Sequence, residues 1–333
     1  MWKTIVCTMQ GRSHAAKDLP CQDKTAEAIG DTSTAVALAD GAGSARLSHF
    51  GAACTTQAAT AVLSTALAEL LNEPDGRLAK LRLLSAVQEA LDAEKAALAC
   101  ETRDLACTLL CAAADREHFL LGHVGDGVIG YLQNGEVKVA SHPENGEFSN
   151  TTVFVTSGRA AESMKLFKGT VGSIKGFVLM TDGTEAALYH KRDKCLAPAL
   201  KRMIHLCRLL PKARAEQLLA ETLQNTVSKA TTDDCGIAFL VNAPENLQEY
   251  LSLSNTERCE MLGIRLGTPS AAKRLARYDR LLDFLSTPHT LMQIARFLHL
   301  RPAYAKRHVA RLYYHGFLEE VGARYQLVEG LRA

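Results

Sequence analysis

Acidic residues followed by glycine end three apolar runs of the sequence. The pairs are Asp40-Gly41, Asp126-Gly127 and Asp182-Gly183. A carboxylate at the end of a strand presents oxygen atoms at the rim of a sheet, and the glycine after it lets an ion or another backbone approach closely. A fourth pair, Asp75-Gly76, follows a proline between two predicted helices and is interpreted as an ordinary turn.

Two more carboxylates stand directly before predicted strands, Asp23 in Gln22-Asp23 and Asp234 in Asp233-Asp234. Any one of these acids is typical of a turn, but acids at five strand boundaries indicate a shared site. Oxygen ligands without histidine or cysteine suit hard cations such as Mg²⁺ or Mn²⁺. The pattern therefore predicts a divalent-metal site at the rim of a sheet.

Hydrophobic periodicity predicts the elements that position these acids. Strands are predicted at 4–9, 24–29, 34–39, 105–113, 118–124, 128–132, 137–140, 152–156, 176–181 and 235–241, and helices at 48–72, 77–102 and 196–229. Asn134-Gly135 between two apolar runs predicts a tight hairpin. Strands, two adjacent helices, more strands and then helices again indicate an α+β fold rather than repeated βαβ units.

Composition excludes several classes of protein. With 333 residues, 47% hydrophobic, 22% charged and a net charge of +2, the chain is neither disordered nor collagen-like. The run Phe50–Ala68 approaches membrane-spanning length, but its threonines and serines favour a packed helix of a soluble domain. The 10 cysteines have no zinc-type spacing, and the N-terminus lacks the form of a signal peptide. We therefore expect reduced thiols and a cytoplasmic location.

The basic charge is concentrated at the C-terminus. Residues 270–333 contain 11 Lys and Arg against 5 Asp and Glu. Helices are predicted at 273–285, 290–298 and 303–315, followed by a hairpin over 317–328. This order resembles a winged-helix domain. The predicted organisation is a first domain over 1–243, a linker over 244–272 and a winged-helix-like domain over 273–333.

The predicted helix over 303–315 is amphipathic. Ala305, Val309, Leu312 and Tyr313 share one arc, and Lys306, Arg307 and Arg311 share the other. In a DNA-reading winged helix the basic arc enters the major groove. A protein-interaction module and a purely structural tail are the alternatives, because fold alone does not decide function.

Read in order, the acidic blocks resemble the metal-dependent protein phosphatases of the PPM (type 2C) family, in the form of its bacterial subgroup. The matching blocks are Pro20-Cys21-Gln22-Asp23, Ala39-Asp40-Gly41-Ala42-Gly43-Ser44, Ala106-Cys107-Thr108-Leu109, Gly125-Asp126-Gly127, Thr181-Asp182-Gly183, Asp233-Asp234 and Glu147-Phe148-Ser149-Asn150-Thr151-Thr152. The resemblance covers about residues 1–243 and implies two antiparallel sheets sandwiched between helix pairs.

The resemblance also implies roles for individual residues. Asp40 would bridge two Mn²⁺ or Mg²⁺ ions, and the carbonyl of Gly41 would face one of them. Asp182 and Asp234 would hold the other ion, and Asp23 would contact a metal or its waters. Asp126 matches a residue that helps to hold a weaker third ion. Asp23, Asp40 and Asp182 are accordingly the expected catalytic residues, and a water activated by the metals would attack the phosphorus in line.

Three positions depart from the family pattern. Asp18 stands where many members have the arginine that grips the substrate phosphate, and Arg12, His14 or Lys17 could substitute for it. Ala42 stands where some members have a histidine, and Gln22 where animal enzymes have an acid. We expect a protein serine/threonine phosphatase that opposes a kinase. The alternative is a non-catalytic regulator that senses metal or phosphate and whose winged helix binds DNA.

Overall fold

The structure, a computed structural model, describes residues 1–143 and 152–332. It divides into two units. The larger contains Trp2–Leu200 and Glu216–Asn242, and the smaller contains Met1, Lys201–Ala215 and Ala243–Ala333. The predicted division into 1–243, 244–272 and 273–333 stays a prediction.

Two five-stranded antiparallel sheets form the centre of the larger unit. One has the strand order β1-β12-β9-β6-β7 and the other β2-β3-β4-β5-β8, and β10 pairs with β11. The strands are β1 (Trp2–Met9), β2 (Lys24–Ile29), β3 (Thr34–Ala39), β4 (Leu109–Ala114), β5 (His118–Val124), β6 (Val128–Gln133), β7 (Glu136–Ser141), β8 (Lys165–Thr170), β9 (Ile174–Met180), β10 (Tyr189–His190), β11 (Cys195–Leu196) and β12 (Cys235–Asn242).

Helices lie between the strands along the sequence. They are α1 (Arg12–Ala15), α2 (Ser48–Asn72), α3 (Gly76–Leu98), α4 (Ala160–Ser163), α5 (Asp182–Leu188), α6 (Ala199–Leu209) and α7 (Lys212–Asn225), of which α6 and α7 each divide between the two units. The predicted pair of antiparallel sheets flanked by helices is confirmed.

Alternate residues of strand β3 belong to two different hydrophobic cores, one on each face of its sheet. On β3, Val36 and Leu38 belong to the core that includes Phe177 and Leu179 of β9 in the other sheet. The alternate residues, such as Ala37, belong to the core beneath α2 and α3. Successive side chains of a strand point to opposite faces. Small side chains on the helix-facing side therefore let α2 pack closely, and the sheet is held between two apolar layers.

Several predicted elements differ from the structure. The predicted strand over 152–156 is wrong, because this segment has no ladder and is attached through the Val155 amide, which donates to the Cys107 carbonyl at 2.9 Å. The edge strand β8 was not predicted. The predicted start of β4 at residue 105 is also wrong, since a 3₁₀ turn occupies Thr102–Leu105. Residues 147–151 of the motif over 147–152 lie outside the described residues.

The predicted hairpin at Asn134-Gly135 is confirmed between β6 and β7. Asn134 has φ of 50° and Gly135 has φ of 78°. A two-residue turn of this kind needs positive φ at both central positions, which asparagine and glycine tolerate best.

The smaller unit contains short helices and a three-stranded sheet of order β13-β15-β14. Its elements are α8 (Leu247–Ser252), α9 (Asn255–Met261), α10 (Ala271–Phe284), β13 (His289–Thr290), α11 (Leu291–Phe297), α12 (Pro302–Tyr314), β14 (Leu318–Val321) and β15 (Arg324–Leu327). Thr290 and Gln293 form the capping box that begins α11. The range predicted as a linker thus contains two helices, and the identification of this unit as a winged helix stays a prediction.

The ten cysteines are all free thiols, and Cys195 alone among them is exposed. Burial raises the pKa of Cys107 and of Cys111 to about 12. In the described part of the chain, no helix combines the length and the apolar character needed to span a bilayer.

Replacing Gly51 with alanine is expected to destabilise the larger unit by about 1–3 kcal/mol, the usual cost of overpacking. Gly51 lies in α2, where a Cβ atom would be 2.0 Å from the carbonyl oxygen of Leu105. Chemical denaturation would measure the change. Gly76→Ala is the matched control, because a Cβ atom at the start of α3 meets nothing within 4 Å. Equal stability of the two variants would contradict the close approach of α2 to Leu105.

Candidate active site

The five predicted carboxylates lie at strand ends in the larger unit. Asp23 directly precedes β2, Asp40 directly follows β3 and Asp234 directly precedes β12, while Asp126 lies between β5 and β6 and Asp182 begins α5. Strands β2 and β3 are neighbours in one sheet, and β9 and β12 are neighbours in the other. Strand pairing therefore gathers acids that are distant in the sequence.

The register of the pairs sets the acids opposite one another. Lys24 pairs with Ala39, so Asp23 and Asp40 are the next residues on adjacent strands. In the other sheet, the Thr181 amide donates to the Gly236 carbonyl at 3.2 Å, one residue beyond the last ladder pair of β9 and β12. This contact brings the start of α5 beside the residues that precede β12.

Asp40 and Asp182 lie close enough for each carboxyl group to shift the pKa of the other. Burial raises the pKa of Asp40 well above its usual range, and the charges of Asp23 and Asp182 raise it further. Burial also raises the pKa of Asp182, with the charge of Asp126 adding to the effect. Each shift has the sign expected when carboxylates crowd together without a compensating cation.

Asp23 is 1% exposed. The Thr181 hydroxyl donates to its Oδ2 atom at 2.7 Å, whereas Oδ1 is buried and has no hydrogen-bond partner among the residues that the structure describes. Burial raises the pKa of this carboxyl well above its usual range, and Asp234 is the first of the neighbouring charges that raise it further. A buried carboxylate oxygen without a donor is costly unless another group satisfies it.

Asp234 is held by three donors from the segment between β1 and β2. The Gly11 amide donates to Oδ1 at 2.6 Å, and the Gln22 amide donates to Oδ2 at 2.5 Å. His14 Nδ1 lies 2.8 Å from Oδ2. Three contacts fix the orientation of the carboxylate and leave part of its accepting capacity free. Gly183 contacts the same residue closely, since a Cβ atom there would be 1.9 Å from the Asp234 carbonyl oxygen.

Threonine hydroxyls contact the backbone of Asp40 and the carboxylate of Asp126. The Asp40 amide donates to the Thr108 hydroxyl at 2.9 Å, and the Thr108 amide donates to the Asp40 carbonyl at 2.8 Å. Gly41, the next residue, forms a bridge to Cys107. The Thr152 hydroxyl donates to Asp126 Oδ2 at 2.6 Å. These contacts fix the backbone at Asp40 and Gly41 and the carboxylate of Asp126.

The donor set fits a hard divalent cation by its chemistry. It consists of carboxylate oxygens, includes the unsatisfied Oδ1 of Asp23, and has raised carboxyl pKa values that a bound cation would lower. Across residues 1–143 and 152–332, however, no three acidic, histidine or cysteine side chains are grouped closely enough to hold an ion as they stand. The carboxyl groups of Asp40 and Asp182 instead interact with each other.

A protein-family profile matches the sequence that contains most of these acids. The profile described as "Protein phosphatase 2C" matches residues 10–224, which include Asp23, Asp40, Asp126 and Asp182.

The chain belongs to the protein phosphatase 2C family.

Individual relatives agree with that membership. Serine/threonine-protein phosphatase 3 of Escherichia coli (strain K12) is 29% identical over 254 residues, which are 72% of this chain and 97% of the relative. The structure of phosphatase Stp1 from Staphylococcus aureus has a TM-score of 0.51 at 15% identity and covers 73% of this chain and 95% of its own. A bacterial serine phosphatase has a TM-score of 0.53 at 14% identity, covering 73% and 99%. At such identities the two structures support the fold alone.

The three residues expected to grip phosphate in this phosphatase 2C chain differ in their surroundings. His14 contacts Asp234, as described. Arg12, at the start of α1, donates through Nη2 to the Thr231 carbonyl at 3.2 Å. Lys17 is exposed in the turn after α1. Of the three, His14 is the one that the structure brings against the carboxylate cluster.

Sequence reasoning missed several groups of this site. Thr108 and Thr181 were quoted within motifs but not assigned a role, although their hydroxyls contact Asp40 and Asp23. Glu185, in the first turn of α5, is 1% exposed and pairs with Lys191 at 2.6 Å. Asp182 and Asp126 are close enough to Lys191 to raise its pKa, after the larger effect of Glu185. The spacing of Glu185 behind Asp182 on one helix was the available signal.

The residues predicted to bind DNA lie on α12 of the smaller unit. Lys306 and Arg307 are exposed. Arg311 is half-buried and donates to the carbonyls of Leu262 at 3.1 Å and Gly263 at 2.9 Å. The predicted apolar arc is correct for Ala305, Val309 and Leu312, whereas Tyr313 is exposed. The three basic residues therefore do not form one uniform solvent face.

Proposed function

We propose that this protein phosphatase 2C chain is a metal-dependent serine/threonine protein phosphatase that opposes a kinase. The observation that carries the proposal is the convergence of five acids at strand ends, with Asp40 and Asp182 close together and one oxygen of Asp23 buried without a donor among the described residues. Family membership and the curated relative support the same activity. The phosphorylated protein substrate is expected to carry phosphoserine or phosphothreonine.

The proposed metal ligands are Asp40, the carbonyl of Gly41, Asp182, Asp234, Asp23 and Asp126, for two Mn²⁺ or Mg²⁺ ions and a weaker third. When bound, such ions supply the positive charge that activates a water molecule and stabilises the phosphoryl group in the transition state. Asp23, Asp40 and Asp182 are the proposed catalytic residues.

Neighbouring side chains hold the proposed metal ligands in place. Thr108 fixes the backbone of Asp40, and Thr181 orients Asp23 while accepting the Gly236 amide at 2.9 Å. His14 orients Asp234 from the segment between β1 and β2. His14, Arg12 and Lys17 are the proposed cations for the substrate phosphate, because the same short segment carries all three.

Hydrolysis of p-nitrophenyl phosphate and of a phosphothreonine peptide, with Mn²⁺ and with EDTA, tests the function. We expect turnover with Mn²⁺ and none with EDTA, because the acids alone repel a phosphate dianion and supply no cation. Dialysis back into Mn²⁺ should restore the rate. Absence of turnover despite calorimetric evidence of Mn²⁺ binding would contradict the proposal and favour the non-catalytic regulator. The acid set and the family membership do not favour that alternative.

The remaining assignments concern location and the C-terminal unit. Ten cysteines without a disulfide support a reducing compartment such as the cytoplasm. The element order α10, β13, α11, α12, β14, β15 supports a winged-helix-like module with a DNA or protein partner. Duplex DNA is one arm of the binding experiment described next.

A further inference from the structure

A cavity of about 450 Å³ lies in the smaller unit, between α10 and α12. Four arginines line it, Arg274 and Arg277 from α10 and Arg307 and Arg311 from α12. Within the described part of the chain, no acidic side chain lines it. Its volume falls in the range of small-molecule sites, which is roughly 300–1,000 Å³.

Three of the four arginines of this cavity form no ion pair with a carboxylate among the described residues. Asp279 of α10 forms an ion pair with Arg258, in which Asp279 Oδ2 lies 2.8 Å from Arg258 Nη1. Over residues 1–143 and 152–332, no ion pair joins a carboxylate to Arg274, Arg277 or Arg307. Arg311 is anchored by two backbone carbonyls, which carry no net charge. A ligand of this cavity must therefore bring several negative charges.

Aromatic side chains also line this cavity. Tyr304 is 51% exposed, and the Arg307 guanidinium carbon lies 5.2 Å from the centre of its ring. Tyr278 is buried, and its hydroxyl lies 3.0 Å from His308 Nδ1. An exposed tyrosine beside a guanidinium is a stacking surface for a planar ring, as aromatic and arginine side chains are for nucleic acid bases. The wall thus combines sites for phosphate and for a base.

We propose that this cavity binds a nucleotide that carries two or more phosphate groups. The arginines would take the phosphates through charge-assisted hydrogen bonds, and Tyr304 would stack on the base. A single phosphate would leave most of the charge and volume unused. A DNA duplex would contact the exposed basic surface of α12, including Lys306, which does not line the cavity.

Calorimetric titration of the full chain with ATP and GTP, in metal-free buffer, tests the proposal. Arg277→Ala and Arg307→Ala are each expected to weaken binding by about tenfold or more, since a hydrogen bond to a charged group contributes about 1.5–3 kcal/mol. Both arginines are exposed, so the variants should fold, which circular dichroism would verify. Tyr304→Leu should also weaken ATP binding, and inorganic triphosphate should bind more weakly than ATP.

The matched controls are Arg280→Ala on α10 and Lys306→Ala on α12, because both residues are exposed and neither lines the cavity. They should bind ATP like the parent.

Three results would overturn the nucleotide site. They are the absence of heat with ATP and GTP at millimolar concentration, equal losses in the controls and in the cavity variants, and triphosphate binding as tightly as ATP. A short DNA duplex serves as a competitor. Duplex binding that Lys306→Ala and Arg307→Ala weaken equally would also reject the cavity and assign α12 to nucleic acid.

Discussion

Asp40→Asn is expected to lower the rate of p-nitrophenyl phosphate hydrolysis by about a thousandfold or more. Asp40 interacts with Asp182 and stands next to Asp23 across the β2-β3 pair, so its charge is central to the proposed ligand set. Loss of several kcal/mol of charge stabilisation in the transition state corresponds to a rate factor of about 10³. Asparagine keeps the shape of the side chain and removes only the charge.

The same substitution should not unfold the metal-free protein. Burial and two neighbouring acids raise the pKa of Asp40, so the ionised form is disfavoured in the folded state. A carboxyl group whose pKa is raised on folding makes the protein less stable as the pH rises from the unfolded pKa to the folded pKa of that group. Removal of the carboxyl should therefore leave the metal-free melting temperature at neutral pH unchanged or higher. Mn²⁺ should raise the melting temperature of the parent and raise that of the variant much less.

Asp75→Asn is the matched control. Asp75 also precedes a glycine, but it caps α3 by accepting the Arg77 amide at 2.8 Å and belongs to no acidic cluster. Asparagine caps helices about as well as aspartate. Its activity and its response to Mn²⁺ should equal those of the parent. Full activity of Asp40→Asn, or equal losses in both variants, would contradict the assignment of Asp40.

Arg208→Met is expected to destabilise the smaller unit by about 3–5 kcal/mol, the usual cost of leaving one member of a buried ion pair. Arg208 is 3% exposed, and its Nη1 atom lies 2.8 Å from Glu257 Oε1. Burial lowers the pKa of the Arg208 guanidinium, and Glu257 acts in the opposite direction. Methionine retains the length of the side chain and removes its charge, so the ion pair with Glu257 would be lost.

Urea denaturation followed by far-ultraviolet circular dichroism measures this effect. The double variant Arg208→Met with Glu257→Leu should recover most of the lost stability, because apolar pairs of similar volume often replace buried ion pairs without loss. Arg258→Met provides a comparison, since Arg258 also pairs with an acid, Asp279, but is less buried. Failure of the double variant to recover would show that Arg208 acts through packing rather than through its charge.

The sequence predicted the elements with strong local signals. β2, β3, β5 and α2 have the predicted bounds, because alternation, periodicity and turns all agreed there. β8 was missed because it is an edge strand whose residues are mostly half-buried, so no alternation is visible. The range 152–156 has a β-like composition, but strand formation depends on a partner that only the tertiary fold supplies.

The sequence predicted which residues belong to the site, but it did not predict the contacts between them. Aspartates before glycine were visible as motifs, whereas the hydrogen bonds of Thr181 to Asp23 and of His14 to Asp234 join residues more than 150 positions apart. The cavity of the smaller unit was hidden for the same reason. Arg307 and Arg311 were assigned to one basic arc, but the partners that enclose them, Arg274 and Arg277, come from another helix.

The ten thiols differ in exposure, which allows one of them to be labelled selectively for spectroscopy. Cys195 lies in the β10-β11 hairpin that follows α5, the helix that begins at Asp182, and it is the exposed member of the ten. A maleimide dye should therefore attach there in the folded chain without any mutagenesis. Most of the other thiols are shielded, so their reaction with a chromogenic disulfide should begin only when the surrounding layers open. One unmodified chain thus offers a fluorescent reporter on the hairpin that follows α5, and the number of thiols that have reacted measures how far the chain has unfolded.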